Sequence, residues 1–270
     1  MNFMSNINLT ANPAVKPMVV DGLSKSYGSG ANAVKVLENL NLQVNSGEFI
    51  CIVGPSGAGK TTLLRCLSGL LPPTSGEVRV GTEKVSEPLA EIGLVFQDYR
   101  GSLMPWMRAG ENVAFPLQGK GVPKAERHRR AAQCLADVGM PGVEDRYPWE
   151  LSGGMQQRVA IARALAYDAH ILLMDEPFGS LDAQTRFDLE DLILDLRRRL
   201  GISIIVVTHD IDEAVYLADR VVVLSGHPAT VIDTVSIELG PDRDQIATKS
   251  LPLFAEYRSR ILNQIRKLPA

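Results

Sequence analysis

The run GPSGAGKT, from Gly54 to Thr61, fits the spacing G-x-x-x-x-G-K-[ST]. Glycines at such positions let backbone N–H groups wrap a chain of phosphates, Lys60 aims a point charge at the β and γ phosphates, and Thr61 offers a hydroxyl to Mg²⁺. The apolar run EFICIVG precedes the loop, and KTTLLRCLSGL follows it with Leu63, Leu64 and Leu67 at helical spacing. Strand, glycine loop and helix form the context this motif requires, so the segment reads as a nucleotide phosphate site.

Other residues sit where such a site needs chemistry. Asp175 and Glu176 close the apolar run ILLMDE, and parallel sheets gather ligand chemistry at the carboxyl ends of their strands. One carboxylate there can hold Mg²⁺ through its water shell while its neighbour orients or deprotonates an attacking water. A solvated pair at a strand end is the competing reading, which the nearby phosphate loop disfavours. His209 ends IIVVTH and Gln97 ends GLVFQ. Taken singly, the histidine reads as a neutral structural residue and the glutamine as a surface amide, although its carbonyl can bind Mg²⁺ or a water. A second glycine-rich segment, LSGGMQQR at 151–158, puts Ser152, Gly153 and Gly154 at a helix start, where free N–H groups attract an anion. It has no lysine.

These residues need strands to carry them. The runs at 48–54, 92–97, 170–176, 202–209 and 220–226 are almost wholly apolar, as in a mainly parallel sheet covered by helices on both faces, an α/β class. AQTRFDLEDLILDLRRRL stops at Gly201, a helix end before an αβ turn. Between Gln97 and Ala166 the texture becomes Met, Trp, Pro and charged helical stretches, read as an inserted helical subdomain. Phe254, Tyr257, Ile261, Ile265 and Leu268 form one face of an amphipathic C-terminal helix, expected to pack on its own domain.

Composition sets outer bounds. The 270 residues are 45% hydrophobic and 22% charged with a net charge of −3, ordinary for a globular protein and without global attraction for nucleic acid or anionic lipid. Cys51, Cys66 and Cys134 show no CxxC spacing, so neither a disulfide framework nor a zinc site is expected. No apolar run reaches the ~18 residues of a membrane span. MNFMSNINLTANPAV reads as a loose leader rather than a secretion signal.

The ordered set GPSGAGKT, Gln97, LSGGMQQR, ILLMDEP, SLD at 180–182 and His209 resembles the ATPase subunit of ATP-binding cassette transporters, from about Met18 to Gly226. The resemblance implies a P-loop NTPase core with a mainly parallel sheet, an N-terminal antiparallel β subdomain and an inserted α-helical subdomain. The expected boundaries are a flexible leader at 1–16, a RecA-like ATP-binding core at 17–98 and 166–226, a helical signature subdomain at 99–165, and a short extension at 227–270. ATP and Mg²⁺ are the implied cofactors. Tyr27 would stack on adenine, although an aromatic just before GSGANA also suits a core position. Gly54, Pro55, Ser56, Gly57, Ala58, Gly59, Lys60, Thr61 and Thr62 would hold the phosphates. Thr61, Gln97 and Asp175 would surround Mg²⁺, Glu176 would be the general base, and His209 would contact the γ phosphate. Asp182 would lie at a subunit contact.

Members of this family pair head to tail, which accounts for the second glycine segment. Ser152, Gly153 and Gly154 would face a γ phosphate held by the partner copy, so one chain supplies halves of two sites. Met155 stands where glutamine is commonest and cannot complete an S-x-x-Q capping box, which leaves Gln156 or solvent to satisfy the cap. LMPW, DRYPWELSGGMQQRVAIARAL and DRDQIATKSLPLFAEYRSRI look most like the ATPases of nitrate, aliphatic sulfonate and taurine importers. That resemblance implies separate transmembrane permease subunits, an indirectly coupled solute-binding protein, and a peripheral position on the cytoplasmic face of the inner membrane. Met104, Trp106 and Met107 would serve as a docking patch or as subdomain core. The alternative class is a soluble ATPase of this family in DNA repair or translation. Only one cassette is present, and no sustained heptads separate Lys60 from Ser152. KAERHRR and RRR read as solvated helix faces, not a nucleic-acid site.

Overall fold

The computed structural model describes residues 15–267. Most of the expected leader, residues 1–14, and Leu268 lie outside them. The chain runs β1 (Met18–Tyr27), β2 (Val34–Val44), β3 (Phe49–Val53), α1 (Lys60–Leu67), β4 (Ser75–Val80), β5 (Glu83–Lys84) and β6 (Ile92–Val95). Helices then dominate: α2 (Tyr99–Ser102), α3 (Ala109–Gly119), α4 (Lys124–Asp137) and α5 (Gly153–Ala166). It returns to alternation with β7 (Ile171–Asp175), α6 (Ala183–Leu200), β8 (Ser203–Val207), α7 (Ile211–Leu217), β9 (Arg220–Leu224), β10 (Val231–Ser236) and α8 (Pro252–Arg266).

Two sheets result. The larger has the order β10-β9-β3-β8-β7-β6, parallel from β9 to β6 with β10 antiparallel at its edge. The smaller, β2-β1-β4-β5, is antiparallel throughout. Every residue of β3, β7 and β8 is buried, because the parallel sheet is covered on both faces.

Strand alternation splits these residues between two cores. Ile50, Ile52, Leu173, Ile205 and Val207 face α1 and the small sheet, packing with Leu63, Leu64, Leu67, Val20 and Leu40. Cys51, Val53, Leu172, Met174, Ile204 and Val206 face the other way, toward Val159 and Ile161 of α5 and Ile193 and Leu196 of α6. Helix α6 stops at Gly201, whose φ of 65° is the left-handed cap that glycine adopts without strain. Phe254 and Ile261 of α8 are buried in this second core, and Tyr257 and Ile265 pack against it. Among the described residues no helix is long and apolar enough to cross a membrane.

Candidate active site

The carboxyl edge of the large sheet gathers the chemistry. Strand β3 delivers the phosphate loop. Gly57 and Gly59 there have φ of 77° and 79°, and a Cβ on Gly59 would come within 2.7 Å of Val36 Cγ1. Glycine is required by both conformation and space. Lys60 opens α1 and is buried; its Nζ donates to the carbonyls of Gly54 at 2.9 Å and Pro55 at 2.8 Å. Burial pulls the Lys60 ammonium below its ordinary pKa, opposed by the charges of Glu176 and Asp175. The lysine is thus held by its own loop and faces both carboxylates.

Strands β7 and β8 lie parallel, with Asp175 opposite Val207. That register brings the carboxylates beside the turn containing His209. Asp175 is 6% exposed, and burial raises its carboxyl pKa while the Thr61 hydroxyl beside it acts the other way. Its Oδ1 is buried without a hydrogen-bond partner. An unpaired buried carboxylate oxygen next to a threonine hydroxyl suits a hard, oxygen-preferring cation, so these residues fit Mg²⁺.

Glu176 is the meeting point. Its Oε2 accepts from Gln97 Nε2 at 3.0 Å and lies 3.2 Å from His209 Nδ1. Its backbone φ is 43°, a left-handed conformation uncommon for a residue with a side chain and costing about 1–3 kcal/mol. The N–H of Glu176 is fixed to Val207 O at 2.8 Å. Gln97 spends its amide N–H on Glu176, which leaves its carbonyl for a cation or a water. The fold therefore brings together Lys60, Thr61, Gln97, Asp175, Glu176 and His209.

Tyr27 is 43% exposed rather than part of the core. Its hydroxyl lies 3.5 Å from Thr62 Oγ1, which sets an aromatic ring beside the start of α1. The signature segment lies elsewhere. Ser152 caps α5 by accepting from Met155 N at 3.3 Å. The Met155 side chain packs against the helical core. Gln156 does not complete the cap: its Nε2 reaches back to the carbonyls of Pro148 at 2.9 Å and Leu151 at 3.0 Å, tying the helix start to the preceding turn. Gly154 is pressed against Thr185 in the first turn of α6. Asp182 caps that helix by accepting from Thr185 N at 3.0 Å and Thr185 Oγ1 at 2.7 Å.

Three residues behind His209 carry no motif and escape a reading of the sequence: Arg186, Thr208 and Glu213. Of the proposed docking residues, Trp106 is 71% exposed, while Met104 and Met107 are half-buried.

Comparison with known proteins identifies the family. The ABC transporter family model matches residues 37–179. A nitrate import ATP-binding protein of Synechocystis sp. is 42% identical, with 92% of this chain and 94% of that protein covered. A taurine import ATP-binding protein of Escherichia coli O157:H7 is also 42% identical, with 85% and 91% covered. Among solved structures, a dimeric ATP-binding cassette in a post-hydrolysis state, bound to ADP and Pi, matches with a TM-score of 0.72 at 35% identity, covering 82% of this chain and 99% of that one. With the phosphate loop, the carboxylate pair and the signature helix in one P-loop α/β fold, the chain belongs to the ABC transporter family as an ATP-binding, ATP-hydrolysing cassette.

Proposed function

We propose that this ATPase drives import of a small oxyanionic solute, of the nitrate, sulfonate or taurine type, through separate permease subunits at the cytoplasmic face of the inner membrane. The observation that carries the catalytic part is the placement of Glu176 Oε2 between Gln97 and His209. The importer part rests on likeness to nitrate and taurine import proteins over most of the chain.

In this reading Tyr27 stacks on adenine, the 54–62 loop binds the phosphate chain, and Lys60 turns from its own carbonyls toward the β and γ phosphates. Bound Mg²⁺, held by Thr61, Gln97 and Asp175, supplies charge neutralisation at the phosphate oxygens. Glu176 accepts the proton of a water as its oxygen attacks the γ phosphorus in line with the leaving ADP oxygen. Gln97 and His209 aim the Glu176 carboxylate. His209 also contacts the γ phosphate through its other ring nitrogen, and donating to both Glu176 and the phosphate requires a proton on each ring nitrogen.

The site is completed by a second copy. Helix α1 packs into the core shared with the small sheet, whereas α5 packs into the core on the opposite face, which supports the phosphate loop and the signature of one chain serving different ATP molecules. Ser152, Gly153 and Gly154 would bind the γ phosphate held by the partner, with Asp182 at the contact. Loss of that phosphate then releases the pair, and the dimer cycle moves the permease. The exposed Trp106, with Phe115 and Trp149 at 46% and 65% exposure, supports the helical segment as the permease-facing side. A solute-binding protein would deliver cargo without touching this chain.

The test is to isolate the tagged chain from its native membranes and identify what accompanies it. A transmembrane permease and a solute-binding protein that binds nitrate or a sulfonate are expected. A stoichiometric nucleic-acid-processing partner would overturn the importer assignment in favour of the repair or translation class.

A further inference from the structure

His209 stands on a turn between β8 and α7, and its side chain is 64% exposed, so its own packing does little to orient it. The turn is fixed from both sides instead. The buried Thr208 hydroxyl donates to Glu213 Oε2 at 2.6 Å and accepts from Asp210 N at 3.0 Å. Asp210 Oδ1 accepts from the N–H groups of Asp212 at 2.8 Å and Glu213 at 3.2 Å, capping α7. From α6, Arg186 Nη1 approaches Asp210 Oδ2 at 3.5 Å and Glu213 Oε1 at 3.7 Å.

Glu213 is an expensive residue to keep here. It is 5% exposed, and burial pushes its carboxyl up to about 7 against the opposing Thr208 hydroxyl; Asp210 and Glu190 add to the rise and Arg186 counters it. Across the core, the buried Cys51 thiol of β3 is raised by burial first and by Glu213 next. A neutral side chain of similar shape would fold more favourably. What a carboxylate offers is a short, charge-assisted bond that holds one hydroxyl in one orientation.

We infer that Glu213 is a positioning residue for ATP hydrolysis: through Thr208 it fixes the turn that sets His209 Nδ1 against Glu176. The inference rests on the reading of Glu176 and His209 as the hydrolytic pair. Glu213 acts by holding Thr208. Because Arg186 follows Thr185, which meets Gly154, the same clamp reaches the end of α6 that contacts the signature helix.

The experiment compares Glu213→Gln with the wild-type full chain in steady-state ATP hydrolysis and thermal unfolding at pH 8. Gln presents a neutral acceptor where the carboxylate stood. Displacing a reacting group by an ångström costs up to about a hundredfold, and loosening the turn should cost about tenfold in kcat. KM for ATP should stay within about twofold, since the phosphate loop is untouched, and the melting temperature should rise. Thr208→Val should reproduce the kcat loss, and the double variant should lose no more than either single one. Unchanged kcat, a fall in melting temperature or failure to fold, or additive losses in the double variant would each overturn the inference. Glu176→Gln is measured alongside: wild-type turnover there defeats the catalytic reading itself, whereas an inactive Glu176→Gln beside a fully active Glu213→Gln defeats only the role of Glu213.

Discussion

A Cβ on Gly154 would lie 2.3 Å from Thr185 Cγ2, so the signature helix and the helix capped by Asp182 meet at a glycine. This contact fixes Ser152, Gly153 and Gly154, proposed to face a partner's γ phosphate, relative to Asp182, proposed to lie at the subunit contact.

Gly154→Ala should therefore be a packing variant as much as a binding one. Forcing a methyl into that space costs about 1–3 kcal/mol and separates the two helix starts. Hydrolysis should fall while ATP binding to the phosphate loop persists. Adding Thr185→Ser removes Cγ2 and leaves the next atom, Cβ, at 3.7 Å, with the hydroxyl still available to Asp182. The double variant should recover both melting temperature and turnover; a double variant no better than Gly154→Ala would show that the contact is not the cause.

Asp175 is predicted to matter through its unpaired Oδ1. Asp175→Asn keeps the shape and removes the charge, and a neutral amide oxygen ligates a hard cation more weakly than a carboxylate. Hydrolysis should drop by at least about a hundredfold at 1 mM-scale Mg²⁺, while binding of ATP measured in excess chelator should change little. An equal loss of binding with and without Mg²⁺ would place Asp175 on the nucleotide rather than the metal.

The stability of this protein should carry a pH signature from Glu213. The folded chain keeps that proton up to about pH 7, against an ordinary value of 4.5. Stability from this group is therefore greatest below the unfolded value, declines as pH rises through the window between the two, and is level above. Glu213→Gln lacks the decline. Its advantage over wild type should vanish below about pH 4 and reach at most about 3 kcal/mol at pH 8, read as melting temperatures across that range. An advantage that grows on acidification would contradict the assignment.

How far the sequence revealed this site depended on the range of the contacts. The phosphate loop is contiguous, and its flanking strand and helix are marked by local apolar spacing. The edge shared by Asp175, Glu176 and His209 follows from uniformly apolar strands once they lie parallel, since Asp175 then pairs with Val207. The meeting of Gly154 with Thr185 was not legible, because it joins the starts of two helices separated in the chain by β7. Glu213 was concealed for a different reason: in IDEAVYL it looks like an ordinary acid in a helix's first turn, favoured there by the helix dipole. Its burial arises from packing of α7 against β3, which no local pattern records. Gln156 or solvent is the expected partner of the Ser152 cap, and the Gln156 side chain instead donates its Nε2 to the carbonyls of Pro148 and Leu151.

If Glu176 is the base of a site completed by a second copy, the solution mass of Glu176→Gln with ATP and Mg²⁺ must report it. A shift from one chain to two is expected that requires ATP, persists because hydrolysis is blocked, and disappears when Ser152 is also replaced by a bulky residue. A variant that stays at the mass of one chain with ATP bound, or that consumes ATP at the wild-type rate, would contradict it.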